Sequence, residues 1–90
     1  MYLHLGNDFT VNDDYIVGIF DMDNTTVSKR GRHFLSDAEK NGLVVNTSDD
    51  LPKSFIVTVE NGKTTVYISS ISPQTLMKRS RSGKITDDRE

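Results

Sequence analysis

Cysteine is absent from the 90 residues, so no disulfide can staple the chain and no thiolate is available as nucleophile or soft metal ligand. Imidazole is almost as scarce. His4 and His33 are the two histidines, and neither is read as having a helical or hairpin partner at metal-ligand spacing. Glycine-rich phosphate loops are missing as well. The longest apolar run, Tyr15 to Phe20, falls far short of the ~20 residues that span a bilayer, and no basic-then-apolar leader opens the sequence. These absences point away from disulfide-stapled domains, metal centres and membrane spans, and toward a cytoplasmic protein with no cofactor. Two glycosylation-type triplets, starting at Asn24 and Asn46, matter only in a secreted chain and are read as chance.

What is present is a small domain with little to bury. Hydrophobic residues make up 34% and charged residues 27%, which is lean in core material yet short of the charge excess of a disordered chain. One domain is expected over 1–79, followed by a flexible polar tail over 80–90. A chain of this size buries only roughly 60 to 65% of its unfolded surface. Self-association is therefore the expected source of further stability.

Charge is segregated along the sequence. The formal net charge is −2, but residues 1–26 hold five Asp and no Lys or Arg, whereas Lys29, Arg30 and Arg32 follow at once. A second basic run, Lys78, Arg79, Arg81 and Lys84, contains no acid. Clusters of this kind can dock phosphates when they share a surface, and are solvated polar faces when they do not.

The pattern of apolar and turn residues reads as an α+β fold. It consists of a small antiparallel sheet with two hairpins, one amphipathic helix after the central strand and a short C-terminal helix. Tyr2 to Leu5 and Phe9 to Val11 form a hairpin around Gly6-Asn7, a pair tolerant of positive φ. Tyr15 to Phe20 is apolar without alternation, so both of its faces need cover. A second subunit is the expected cover for one of them, with a loop or the second helix of the same chain as the alternative. After Asn24, the residues Val27, Gly31, Phe34, Leu35 and Ala38 share a helical stripe, Thr25 or Thr26 can cap the start, and Asn41-Gly42 supplies the left-handed stop. Asn61-Gly62 between two β-rich runs favours a type I′ hairpin in which opposed residues sum to 123. That register places Phe55, Val57 and Val59 beside Ile68, Val66 and Thr64. It leaves Ile56 and Tyr67 on a mixed, half-wet face. Tyr15, Val17, Ile19, Ile56 and Tyr67 are accordingly the candidate oligomer interface. Ser72-Pro73 has the order of a helix start, with Leu76 and Met77 as its anchors. His4 is expected to pack within its strand, and Ser69, Ser70 and Ser72 to serve turns and caps.

Ile19 to Thr25 resembles the haloacid dehalogenase signature, in which an apolar strand delivers a nucleophilic Asp, here Asp21, and a second Asp two residues on, here Asp23. With Mg²⁺ such a pair would transfer a phosphoryl group. The parallel sheet that carries this site needs several βαβ units of more than ~30 residues each, and this chain offers one long helix and two hairpins. The residues equally suit an acidic strand exit ahead of a helix start. The chain is read as no enzyme, with a Mg-dependent phosphoryl transferase as the remote alternative.

A second resemblance covers most of the chain. Met1 to Gly6, Asp14 to Asp21, Thr26 to Arg30 and Ser72 to Leu76 occur in an order that resembles the extracellular matrix regulator family, RemA and RemB, and most nearly its RemB (YaaB-like) branch. The resemblance implies a bacterial cytoplasmic regulator of matrix and biofilm genes that self-assembles, as a ring, and binds DNA through a basic rim. It assigns phosphate contact to Lys29 and Arg30, with Arg32 and Lys53 as further candidates. The match departs from the DNA-binding branch at two places, because Asp13-Asp14 and Asp49-Asp50 stand where that branch carries arginines. Two readings follow. One is a DNA-binding regulator using Lys29, Arg30, Arg32 and Lys53, joined by Lys78. The other is a ring-forming interaction or scaffold protein without direct DNA contact, partnered by a related regulator.

Overall fold

The computed structural model describes residues 2–22 and 29–80. The Thr25 or Thr26 cap, Asp23, Val27 and the tail beyond Ser80 lie outside them. Both hairpins form where the turn residues place them. Strand β1 (Tyr2–Gly6) pairs antiparallel with β2 (Phe9–Asn12), with a register shift between His4 and Gly6 and with Asn7 at a φ of 48°. Strands β5 (Ser54–Glu60) and β6 (Lys63–Ser69) run from Ser54 opposite Ser69 to Glu60 opposite Lys63. The expected register therefore holds along the whole hairpin. Asn61 and Gly62 both have positive φ, 55° and 78°, as a type I′ turn requires.

The larger sheet has four strands in the order β3-β5-β6-β4, where β3 is Ile16–Asp21 and β4 is Val44–Asn46. β3 pairs antiparallel with β5, but β4 pairs parallel with β6. The sheet is thus mixed rather than purely antiparallel. The chain reaches β4 through α1 (Lys29–Lys40), a helix that lies across one face of the sheet and carries the chain from one edge strand to the other. β3 and β4 run in the same direction at opposite edges, so the chain must return along its length between them, and α1 is that return.

The end of α1 follows from Asn41-Gly42. Gly42 has a φ of 70°, its N–H donates to Glu39 O at 3.1 Å, and the Leu43 N–H donates to Ala38 O at 2.9 Å. This is a Schellman ending, whose apolar closure here is Leu43 packing with the Ala38 cluster. The second helix, α2 (Pro73–Arg79), begins as its sequence predicts, with Ser72 accepting from the Thr75 N–H and proline in the first turn.

Successive residues of β5 point to opposite faces, and two cores result. Phe55, Val57 and Val66 pack with Ala38 and Leu35 under α1. Ile56 and Ile19 pack with Leu3, Leu5, Val11 and Leu76, under the first hairpin and α2. The first hairpin and α2 cover one face of the main sheet, and α1 covers β5 and β6 on the other, where β3 stays partly open, with Val17 65% and Phe20 41% exposed. Cover by the same chain, the alternative to a second subunit, thus holds for the Ile19 face of β3. β3 is moreover an edge strand, hydrogen-bonded in its sheet to β5 alone.

Hydroxyls weld the first hairpin to the sheet. Leu5 O accepts from Ser69 Oγ at 2.6 Å and lies 3.2 Å from Thr47 Oγ1, which also donates to Ile68 O at 2.8 Å. Asn7 Nδ2 donates to Thr47 O at 2.7 Å. The buried Thr47 of the Asn46 triplet is thus a structural tie. His4, expected inside a strand's packing, is exposed, and its Nε2 lies 2.6 Å from Asn7 O in the turn.

Candidate nucleic-acid interface

The apolar stripe of α1 fixes where its cations stand. Phe34, Leu35 and Ala38 turn toward the sheet, and Phe34 stacks on Phe55 with ring centroids 6.1 Å apart. Lys29, Arg30 and Arg32 are left exposed on the first turns, with no acid among them. The nearest acid along the helix, Asp37, lies 3.1 Å from His33 Nε2. That pair stands at i,i+4, a spacing the sequence reading passed over, and both side chains are exposed. A groove of about 610 Å³ runs beside the helix, lined by Lys29, Arg30, His33, Asp37, Leu43 and Thr64 among others.

The remaining candidates are placed elsewhere. Lys53 is exposed at the start of β5, where the Met22 N–H donates to Lys53 O at 3.0 Å and the Lys53 N–H donates to Ser69 O at 2.9 Å. It lines a groove with Asp21, Leu51 and Pro73, not the groove of Lys29 and Arg30. Lys78 belongs to α2, on the sheet face opposite α1, so the helix layers separate the two basic sets.

The acids singled out in the sequence, Asp13, Asp14, Asp49 and Asp50, behave differently from each other. Asp13 is buried at the single-turn helix before β3, with Ser80 Oγ donating to its Oδ2 at 3.4 Å, and so turns away from solvent. Asp14 is exposed. Asp49 and Asp50 are exposed in the loop before β5, where the Asp50 N–H donates to Ser48 Oγ at 3.1 Å.

The expected oligomer interface is divided by the fold. Ile19 and Ile56 are buried in the chain's own core, and Tyr67 packs half-buried against it. Ile19 and Ile56 are taken up by intrachain packing under the first hairpin and α2, while Tyr67 keeps part of its surface open in a groove with Val11 and Lys63. Tyr15 and Val17 remain exposed, Val17 by 65%, at the place where the β3–β5 register shifts. Phe20 and Phe34 join Val17 in an exposed apolar patch that the sequence reading missed. Phe20 stacks on Phe55 with centroids 5.0 Å apart, so Phe55 is the middle of three rings. Gly18 makes this possible, since a β-carbon there would stand 2.6 Å from Phe20 Cζ. A glycine two residues before an aromatic on one strand was the available signal.

Of the dehalogenase-like pair, Asp21 is half-buried at the end of β3 and Asp23 lies outside the described residues. Among the described residues, no group of three His, Cys, Asp or Glu side chains could hold a metal ion. Among them, too, no helix is long and apolar enough to cross a membrane.

A small mixed sheet, sheathed by a hairpin and a short helix on one face and by a base-rich helix on the other, carries three exposed cations on the first turns of that helix. The family model for RemA-like proteins, described as extracellular matrix regulatory protein A-like, matches residues 2–79. The chain is also 41% identical over 81 residues to extracellular matrix regulatory protein B of Bacillus subtilis (strain 168), covering 90% of this chain and 91% of that protein. It belongs to the RemA-like family, as the order of its sequence motifs indicated.

Proposed function

We propose that this chain is a non-enzymatic cytoplasmic regulator of extracellular matrix genes that self-assembles, as a ring, and contacts duplex DNA through Lys29, Arg30 and Arg32. The observation that carries this reading is that α1 holds three exposed cations on its first turns while Asp13 is buried and turned inward. A single copy with three cations makes few phosphate contacts and so releases few counterions, with a slope of log affinity against log salt of about −0.9 per contact. Assembly multiplies the contacts, since several copies of the same helix on one rim act at high effective concentration. Lys53, on its separate groove, would extend the contact along the sheet end.

The exposed Asp49 and Asp50 favour a second reading, in which the assembled chain docks a related regulator and does not touch DNA. Fluorescence anisotropy of a labelled duplex, titrated at low and at raised salt, separates the two. A complex whose affinity falls steeply with salt is expected, with a slope of several times about 0.9. Absence of a salt-sensitive complex would leave the scaffold reading in its place.

A further inference from the structure

The widest exposure of an aliphatic core-type side chain in the described structure belongs to Leu51, at 80%. It is presented, not left loose. Thr47 is tied to Ile68 and Lys53 to Ser69, so both ends of the loop are pinned to the sheet. Pro52 restricts the backbone of Leu51 further. Two exposed carboxylates, Asp49 and Asp50, stand directly before it. Elsewhere on the same molecule lies its complement. Val17, Phe20 and Phe34 surround an open apolar socket of about 410 Å³ with Phe55 and Val57 in its floor and Arg30 at its rim. The knob carries acid beside an apolar tip, and the socket carries a guanidinium beside an apolar floor.

Resting on the self-assembly reading above, we propose that Leu51 of one copy seats in the Val17, Phe20 and Phe34 socket of the next, with Asp49 and Asp50 facing Arg30. The two surfaces differ, so the contact is head-to-tail, and repetition of one such contact produces a closed ring when the rotation closes and a filament when it does not. Arg30 then stands where the joint meets the phosphate-contacting rim, beside Lys29 and Arg32 on the first turns of α1. Asp49 and Asp50 are the charged half of the joint.

Leu51 and Val17 are exposed, so Leu51→Asp and Val17→Asp leave the fold intact, which circular dichroism checks. Light scattering on the wild type should give a single mass of several copies, and each variant alone should weaken association by about tenfold or more. Mixing the two is the decisive step. Leu51→Asp keeps a socket and Val17→Asp keeps a knob, so together they should form a dimer and nothing larger. Arg30→Glu should also weaken assembly, and Arg30→Glu combined with Asp49→Lys and Asp50→Lys should restore it. Wild-type mass retained by Leu51→Asp, or a mixture that stays monomeric, overturns this joint while leaving self-assembly standing and the socket to another partner. A wild type that is itself monomeric overturns both.

Discussion

Ile56→Ala is expected to lower the free energy of unfolding by about 2–5 kcal/mol, the range for truncating a fully buried aliphatic side chain. Ile56 has no exposed surface and stands where the first hairpin, α2 and β3 meet, opposite Ile19 and in one cluster with Leu3, Leu5 and Leu76. The loss combines the transfer of three carbons' worth of burial with a cavity that two strands and a helix cannot readily close. A small domain has only about 5–15 kcal/mol in total, so the variant should unfold at a much lower urea concentration. An unchanged midpoint, accompanied by weaker association, would instead place Ile56 between subunits as its half-wet sequence context suggests.

The second large effect falls on binding and spares the fold. Lys29→Glu combined with Arg32→Glu is expected to reduce duplex affinity at low salt by about two orders of magnitude, because two phosphate contacts per copy are lost and two repelling carboxylates are added. Both positions are exposed on α1 and outside the aromatic socket, so the oligomeric mass should not change. Surface substitutions of this kind shift stability by about 0.5 kcal/mol or less each. Retention of wild-type affinity by this variant would exclude Lys29 and Arg32 as the contact, and loss of affinity together with loss of assembly would make the effect indirect.

Local signals made much of this architecture legible. Asn61-Gly62 fixes a register that then holds for seven opposed pairs, because a two-residue turn with both φ positive leaves the strands no other alignment. Asn41-Gly42 and Ser72-Pro73 end and begin helices through backbone geometry that nearby residues alone decide. Long-range choices left weaker marks. β4 is three residues long and pairs with a strand about twenty residues further on, so nothing in Val44-Val45-Asn46 announces a parallel partner. The run from Tyr15 to Phe20 implies two covered faces; its own chain covers the one that holds Ile19 and leaves Val17 and Phe20 exposed on the other, a division that one apolar strand cannot announce.

The site divides along the same line. Lys29, Arg30 and Arg32 are visible as charge because adjacent residues on one helix stay together. The socket is not, because Val17 and Phe20, Phe34, and Phe55 arrive from three separate elements. Asp13 illustrates the opposite error. Its sequence position suggests repulsion of phosphate, while the short helical turn before β3 directs it into the protein toward Ser80.

The most direct test of a self-assembled, DNA-contacting regulator is the mass of the species formed with a short duplex at low salt, measured by light scattering after size exclusion. The expected species exceeds the duplex by the mass of several copies of the chain and falls apart as salt is raised. A duplex that elutes at its own mass beside an intact assembly, or that carries a single copy, would contradict the account.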